Sequence, residues 1–417
     1  MSDNAGTGAV LVVGGGISGL TAALEAAEVG NDVFLIDKNP YFGGRVAQLN
    51  QYFPKLCPPT CGLEINFKRV KDNRRVRTYS MTTVKSITGG PGSYEVQLEI
   101  APRYVNSNCT ACGECAKVCT DMIDDAFNLG MQKTTAVYLP HEMAFPRRYV
   151  LAKDACSAET LETIKGACKY DAFDFDMQPE TITVNVGSIV WATGWNPYDP
   201  TKMTNLKYEQ SPAIITNMMM ERLAAPNGPT QGKILRPGDN KEPESIAFVQ
   251  CAGSRDENHL EYCSYICCMA TFKQMTYVRE RYPEAQIYVF YIDLRTPGKY
   301  EHFREKLLGD EKSQFIKGKV ADIIAEDDGG VTVVAENAVT GAKIQQKVDM
   351  CVLATGMQPA LGDQGKALGV NMDPNGFVIS DAGKGQIGAG CARAASDVYT
   401  SAQSSTAAAL KAIQIGR

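Results

Sequence analysis

Unbroken apolar runs mark the frame of this chain. Residues 9–13 (AVLVV) are apolar throughout, which predicts a strand covered on both faces. After a glycine cluster, an Ala- and Leu-rich segment reads as a helix ending at Gly30. Residues 33–36 (VFLI) then form a second buried strand that stops at Asp37. Strand, helix and strand make one βαβ unit. Farther on, GSIVWATGWNP (187–197) and DMCVLATGMQP (349–359) repeat one pattern: a buried strand, then Ala-Thr-Gly, then Pro. SIAFVQ (245–250) is another buried strand, and SYEVQLEI (93–100) is strand-like. The Gly/Pro-rich stretch 224–244 reads as a loop or hinge.

No apolar run reaches the ~18 residues needed to span a bilayer, and the N-terminus shows no basic-then-apolar leader. The net charge of −5 gives no reason to expect nucleic acid. The expectation is a cytoplasmic protein, or one held at a membrane only through partner subunits. At 417 residues the chain has room for two or three domains. Its fourteen cysteines argue for metal or redox chemistry, because the cytosol keeps thiols reduced. With only three histidines, thiolates must hold any metal, which favours iron–sulfur clusters or zinc.

Gly14, Gly16 and Gly19, with Ile17 and Ser18 between them, stand at GxGxxG spacing between the first strand and its helix. Such glycines allow a tight turn and close backbone approach, so a pyrophosphate can sit on the helix N-terminus. Asp37, followed by Lys38, is placed to accept ribose hydroxyls. The segment NPYFGGR (39–45), with Gly43, Gly44 and Arg45, resembles the loop after the second strand in two-dinucleotide-domain flavoproteins. Ala192, Thr193 and Gly194, and later Gly356, resemble the crossings between their two domains. GAGCARAASDVYTSAQSSTAAALKA (388–412) resembles their last flavin motif, with Gly390 kept and Cys391 in place of an acid. Ser401, Ala402 and Gln403 would open a helix aimed at the flavin ring and stabilise negative charge there. The resemblance implies FAD.

A second GxGxxG should follow SIAFVQ to bind a nicotinamide nucleotide. The segment reads CAGSRDENHLEYCSYICC instead, with one glycine and four cysteines: Cys251, Cys263, Cys267 and Cys268. The electron source shifts from hydride donors to one-electron carriers. Four thiolates suit one 4Fe–4S cluster or one zinc, and packed core cysteines are the bland alternative.

Cys109, Cys112, Cys115 and Cys119 make C-x2-C-x2-C-x3-C, a 4Fe–4S signature. In two-cluster ferredoxins the fourth Cys of such a run serves the other cluster. The degraded second half carries only Cys156 and Cys168, so the insert cluster is assigned to Cys109, Cys112, Cys115 and Cys168. Cys119 as fourth ligand is the alternative. Cys57 and Cys61 stay unassigned. Phe67 to Arg77 has six basic residues and one Asp, a solvated face or an acidic partner's dock. MMMERL (218–223) reads as a core helix. Lys273 is either a charge near the flavin or an exposed lysine, and no catalytic residue is assigned.

Taken together, QCAGSRDE, YC and CCMAT resemble the flavin subunit of heterodisulfide reductase, the A-subunit family. The resemblance implies an α/β, thioredoxin-reductase-like flavoprotein with an inserted ferredoxin-like domain. It also implies FAD, two 4Fe–4S clusters, and a family lysine near the flavin at Lys273. Expected parts are residues 1–100 and 183–240 for FAD, 101–182 for the insert, 241–348 for the second domain, and 349–417 for the flavin again. The lone insert cluster resembles a short branch, the A subunits of quinone-interacting membrane-bound oxidoreductase complexes. That branch implies a larger B subunit, a haem-bearing membrane C subunit, and electron flow between menaquinol and adenylylsulfate (APS) reductase. The alternatives are an A-type flavin subunit of another electron-transfer complex, a nicotinamide-dependent disulfide reductase using Cys57 and Cys61, and a zinc scaffold.

Overall fold

The computed structural model describes residues 8–53 and 55–415. Val10–Val13 pairs in parallel with Val33–Asp37 on one side and Ser188–Trp191 on the other. Val76–Ser80 and Gln386–Gly388 extend this five-stranded sheet at its two edges. Val10, Val12, Val33 and Leu35 pack under the helices Ile17–Glu28 and Val398–Ile415. Leu11, Val13, Phe34 and Ile36 face an antiparallel trio, Thr82–Thr88, Tyr94–Ile100 and Glu180–Val186. Both faces are therefore dry, which is why the strands read as unbroken apolar runs. Burying one such side chain contributes roughly 1.5–3 kcal/mol, more than the ~1 kcal/mol span of strand propensity. Burial decides these strands.

A second parallel sheet runs in the order Ile214–Thr216, Met350–Thr355, Ser245–Ala252, Gln286–Tyr291, Ser313–Lys317. Ile246 and Phe248 pack against the helix Cys267–Arg281, and Ala247 and Val249 against a second antiparallel trio. Two expected boundaries move. Ile214–Thr216 and the helix Asn217–Ala224 join this second unit, although they fall inside 183–240. Met350–Thr355, expected to open the last flavin segment, sits between Ile214–Thr216 and Ser245–Ala252. Local pattern shows a buried strand and not which sheet takes it. The two Ala-Thr-Gly strands do lead to one crossing: Trp195–Pro197 pairs antiparallel with Met357–Pro359.

The insert has its own small core, including Val105, Val137, Leu151, Ile164 and Phe173. In the basic stretch, Arg69 pairs with Glu28 and Arg75 with Asp32, both at the surface. No helix among the described residues is long and apolar enough to cross a membrane.

Candidate functional site

A cavity of about 480 Å³ runs from the glycine turn of the first sheet to the helix Cys267–Arg281. At one end, the chain leaves Val13 and turns at Gly14, whose φ is +105°. A Cβ on Gly14 would lie 2.3 Å from the Ala192 carbonyl oxygen, and one on Gly19 would lie 1.7 Å from that of Gly14. Only glycine allows both approaches. Gly14, Gly16, Ile17 and Ser18 then line the cavity at the N-terminus of Ile17–Glu28, where backbone N–H groups favour phosphate. Asp37 and Lys38 line it beside them. The Asp37 carboxylate accepts from the Gly15 N–H at 2.6 Å and the Asn39 N–H at 2.8 Å. Burial nonetheless raises its pKa against those two bonds.

Gly44 touches Gly16, since a Cβ there would lie 2.8 Å from its Cα. Arg45 donates to the Trp195 carbonyl at 3.1 Å and to Asn196 Oδ1 at 2.9 Å, tying this loop to the crossing strand. Ala192, Thr193 and Gly194 form part of the wall. Thr193 Oγ1 and Gln274 Oε1 are buried in that wall with no partner. Buried polar atoms are rarely left so, and a polar ligand in the cavity would satisfy them. The residues present fit a dinucleotide.

Cys391, Ser396, Asp397 and Ser401 also line the cavity, at the N-terminus of Val398–Ile415. Cys391 Sγ donates to the Ser396 carbonyl at 3.3 Å, and Asp397 caps the helix by accepting the Thr400 N–H at 2.6 Å. Ala402 and Gln403 do not join Ser401 in the wall; Gln403 is exposed and donates to Tyr399 Oη. Successive helical residues point about 100° apart, so only one of the three faces in. Gly43, Gly356 and Gly390 shape the wall from behind. A Cβ on Gly390 would lie 1.9 Å from Ser18 Oγ, and one on Gly356 would lie 2.3 Å from Ser254 Oγ.

Lys273 is buried and lines the cavity. Its Nζ lies 3.1 Å from Glu221 Oε1 and donates to the Gln51 carbonyl at 2.5 Å. Glu221 also accepts from Gln274 Nε2, the Asn50 N–H and Tyr277 Oη. A buried ion pair is tolerated when its remaining sites are bonded in this way. Sequence reading missed Glu221; the one signal was an adjacent acid and base, Glu221 and Arg222, in the Met-rich MMMERL helix.

The thiols of the insert fall into two groups. Cys109, Cys112, Cys115 and Cys168 line one small cavity with Tyr149 and Phe173. Burial pushes the Cys115 thiol up to about 12, with Cys109, Cys168 and Cys112 adding to it. Cys119 instead donates to the Asp121 carbonyl and neighbours Cys156, whose thiol burial pushes up to about 11. Cys57 and Cys61 are free thiols beside Tyr52, outside the cavity wall.

In the second domain, Cys251 lies next to the end of the strand Ser245–Ala252 at φ +57°, and Cys267 and Cys268 open the helix Cys267–Arg281. Burial raises the Cys267 thiol well above its usual range, and Cys251, Cys268 and Cys263 all reinforce the effect. The four thiols are close enough to feel one another's charge, and Cys267 also lines the dinucleotide cavity. The segment's one glycine, Gly253, serves another purpose. A Cβ there would lie 2.4 Å from the Tyr198 ring, so its openness admits Tyr198 rather than a phosphate. Among the described residues, no group of three or more His, Cys, Asp or Glu is arranged to hold a single metal ion.

A family model described as "FAD dependent oxidoreductase" matches residues 9–85. The chain is 35% identical over 379 residues to the second A-type iron-sulfur subunit of the CoB–CoM heterodisulfide reductase of Methanopyrus kandleri, covering 89% of this chain and 58% of that one. It is 33% identical to the A-type subunit of the ferredoxin/F(420)H(2)-dependent CoB–CoM heterodisulfide reductase of Methanosarcina acetivorans, covering 97% and 53%. These A-type chains are its homologues. The chain spans little more than half the length of these relatives. The fold is that of thioredoxin reductase: the Lactococcus lactis enzyme aligns over 99% of both chains with a TM-score of 0.54 at 13% identity. The chain thus has the two-dinucleotide-domain fold of thioredoxin reductase, matches the FAD-dependent oxidoreductase model over residues 9–85, and is similar to the heterodisulfide reductase A subunits.

Proposed function

We propose that this chain is the flavin and iron–sulfur electron-transfer subunit of a multi-subunit complex of the heterodisulfide reductase type. One observation carries the reading: Cys267 belongs to a four-thiol set and also to the wall of the dinucleotide cavity. When bound, FAD stores two electrons and a 4Fe–4S cluster passes them singly. The glycine turn and Asp37 hold the dinucleotide, and the N-terminus of Val398–Ile415 favours negative charge at the ring end. Lys273, ion-paired with Glu221, stands in the same wall. Cys251, Cys263, Cys267 and Cys268 would hold one cluster, and Cys109, Cys112, Cys115 and Cys168 the other. The Tyr198 ring takes the space beside Gly253, the segment's one glycine, which speaks against a nicotinamide pyrophosphate there.

The relatives back this reading over the narrower quinone-linked one. That version, with its B subunit, haem-bearing C subunit, menaquinol and APS reductase, finds no support among these relatives. Anaerobic iron, sulfide and flavin analysis tests the proposal. About eight iron and eight sulfide per FAD are expected, with about four of each lost in Cys263→Ala. Zinc in place of iron, or rapid flavin bleaching by NADH alone, would overturn it.

A further inference from the structure

Among the described residues, the second domain leaves four buried side-chain atoms without partners away from the dinucleotide cavity: Arg304 Nε on the helix Glu301–Leu308 and, in a separate place, Gln250 Nε2, Gln250 Oε1 and Thr271 Oγ1. Gln250 is 4% exposed and Thr271 1%. Buried amides and hydroxyls are nearly always bonded, so two orphans in one region point to a missing group.

Both flank the four thiols. Gln250 directly precedes Cys251, where the strand's register slips: Val249 pairs with Leu353 and Ala252 with Thr355. Three residues on one strand match two on the other, a bulge that re-aims side chains at the strand's end. Cys251 takes the left-handed conformation that goes with it. Gln250 continues the alternation of Ile246 and Phe248, whose face packs under the helix Cys267–Arg281. Thr271 stands on that helix four residues after Cys267 and three after Cys268, the spacing that shares one face.

We infer that the Gln250 amide and the Thr271 hydroxyl donate hydrogen bonds to the sulfur of a cluster held by Cys251, Cys263, Cys267 and Cys268, and so set its reduction potential. The inference rests on the iron–sulfur reading of that site. Donors to sulfur stabilise the more negative, reduced form and raise the potential. Gln250 and Thr271 are positioning and tuning residues here, not ligands. An interior water satisfying them would leave the potential alone.

The test is an anaerobic redox titration of the full chain followed by EPR, with the signal assigned by its loss in Cys263→Ala. Gln250→Met keeps length and removes the donor. It should retain the full iron content while this signal's midpoint potential falls and the insert cluster's stays fixed. Thr271→Val, isosteric, should lower it as well. Full iron with an unshifted potential in both variants overturns the inference. Should Gln250→Met fail to assemble the site, the Thr271→Val reading decides. If Cys263→Ala loses no iron, the four-thiolate reading itself falls and the inference with it, a result distinct from an intact signal at unchanged potential.

Discussion

His141 lies flat on Phe127, ring centroids 4.6 Å apart, and edge-on to Tyr41. Its Nε2 is buried without a partner, and burial, aided by the Arg222 cation, pushes its pKa down to about 4. Between about pH 4 and 6.5 the unfolded chain binds a proton that the folded one refuses. Stability therefore falls as pH drops through that window, by about 2 kcal/mol at pH 5. His141→Phe keeps the stacking and removes the titration. Its melting temperature should drop less between pH 7 and pH 5 than the wild type's, and an unchanged difference would count against this origin. Nothing in the sequence marked His141, because its state is set by rings from Tyr41 and Phe127, outside its own segment. Asp37 was legible as the acid that ends the second strand, since that position is set by local pattern. Lys273 was half legible: the residue stood out, and only its contact with Glu221 showed that it is buried.

At the scale of elements, the glycine turn and the unbroken strands could be read because their causes are local. A buried parallel strand needs apolar residues on both faces, and a phosphate-binding turn needs glycine. Short pieces could not be read so, as with the three residues Ile214–Thr216 that complete the second sheet. The insert shows the same limit. Its run of cysteines was plain, but the fourth partner depends on the helix Ala158–Ala167, whose C-terminal flank places Cys168 with Cys109, Cys112 and Cys115. Cys168→Ala should lose about four iron per chain, and Cys119→Ala should keep them. Metal and sulfide analysis of both variants reads this directly, and the reverse pattern would transfer the ligand role to Cys119.

Across the whole molecule, Arg222 joins three parts. It is fully buried on the helix Asn217–Ala224 of the second unit. It donates to Asn128 Oδ1 of the insert at 2.8 Å and to the Gln48 carbonyl of the first unit at 3.1 Å. Its guanidinium also lies over the Phe127 ring, 4.7 Å from the centroid. Arg222→Met would strand two buried acceptors, at roughly 1–3 kcal/mol each. The expected result is a lower melting temperature and faster limited proteolysis within the insert. Unchanged values would show that the three parts are held by apolar packing alone.

The sequence by itself determined the dinucleotide turn, the buried strands, the missing second glycine loop and the two sets of cysteines. Each rests on neighbours within a few tens of residues. Tertiary structure decided which sheet takes Met350–Thr355, that Lys273 is buried against Glu221, and that Cys168 rather than Cys119 stands with the other three thiols. It also brought Cys267 into the wall of the dinucleotide cavity. Those outcomes depend on contacts between distant segments, whose register and burial are settled only when both sheets and the insert close on one another.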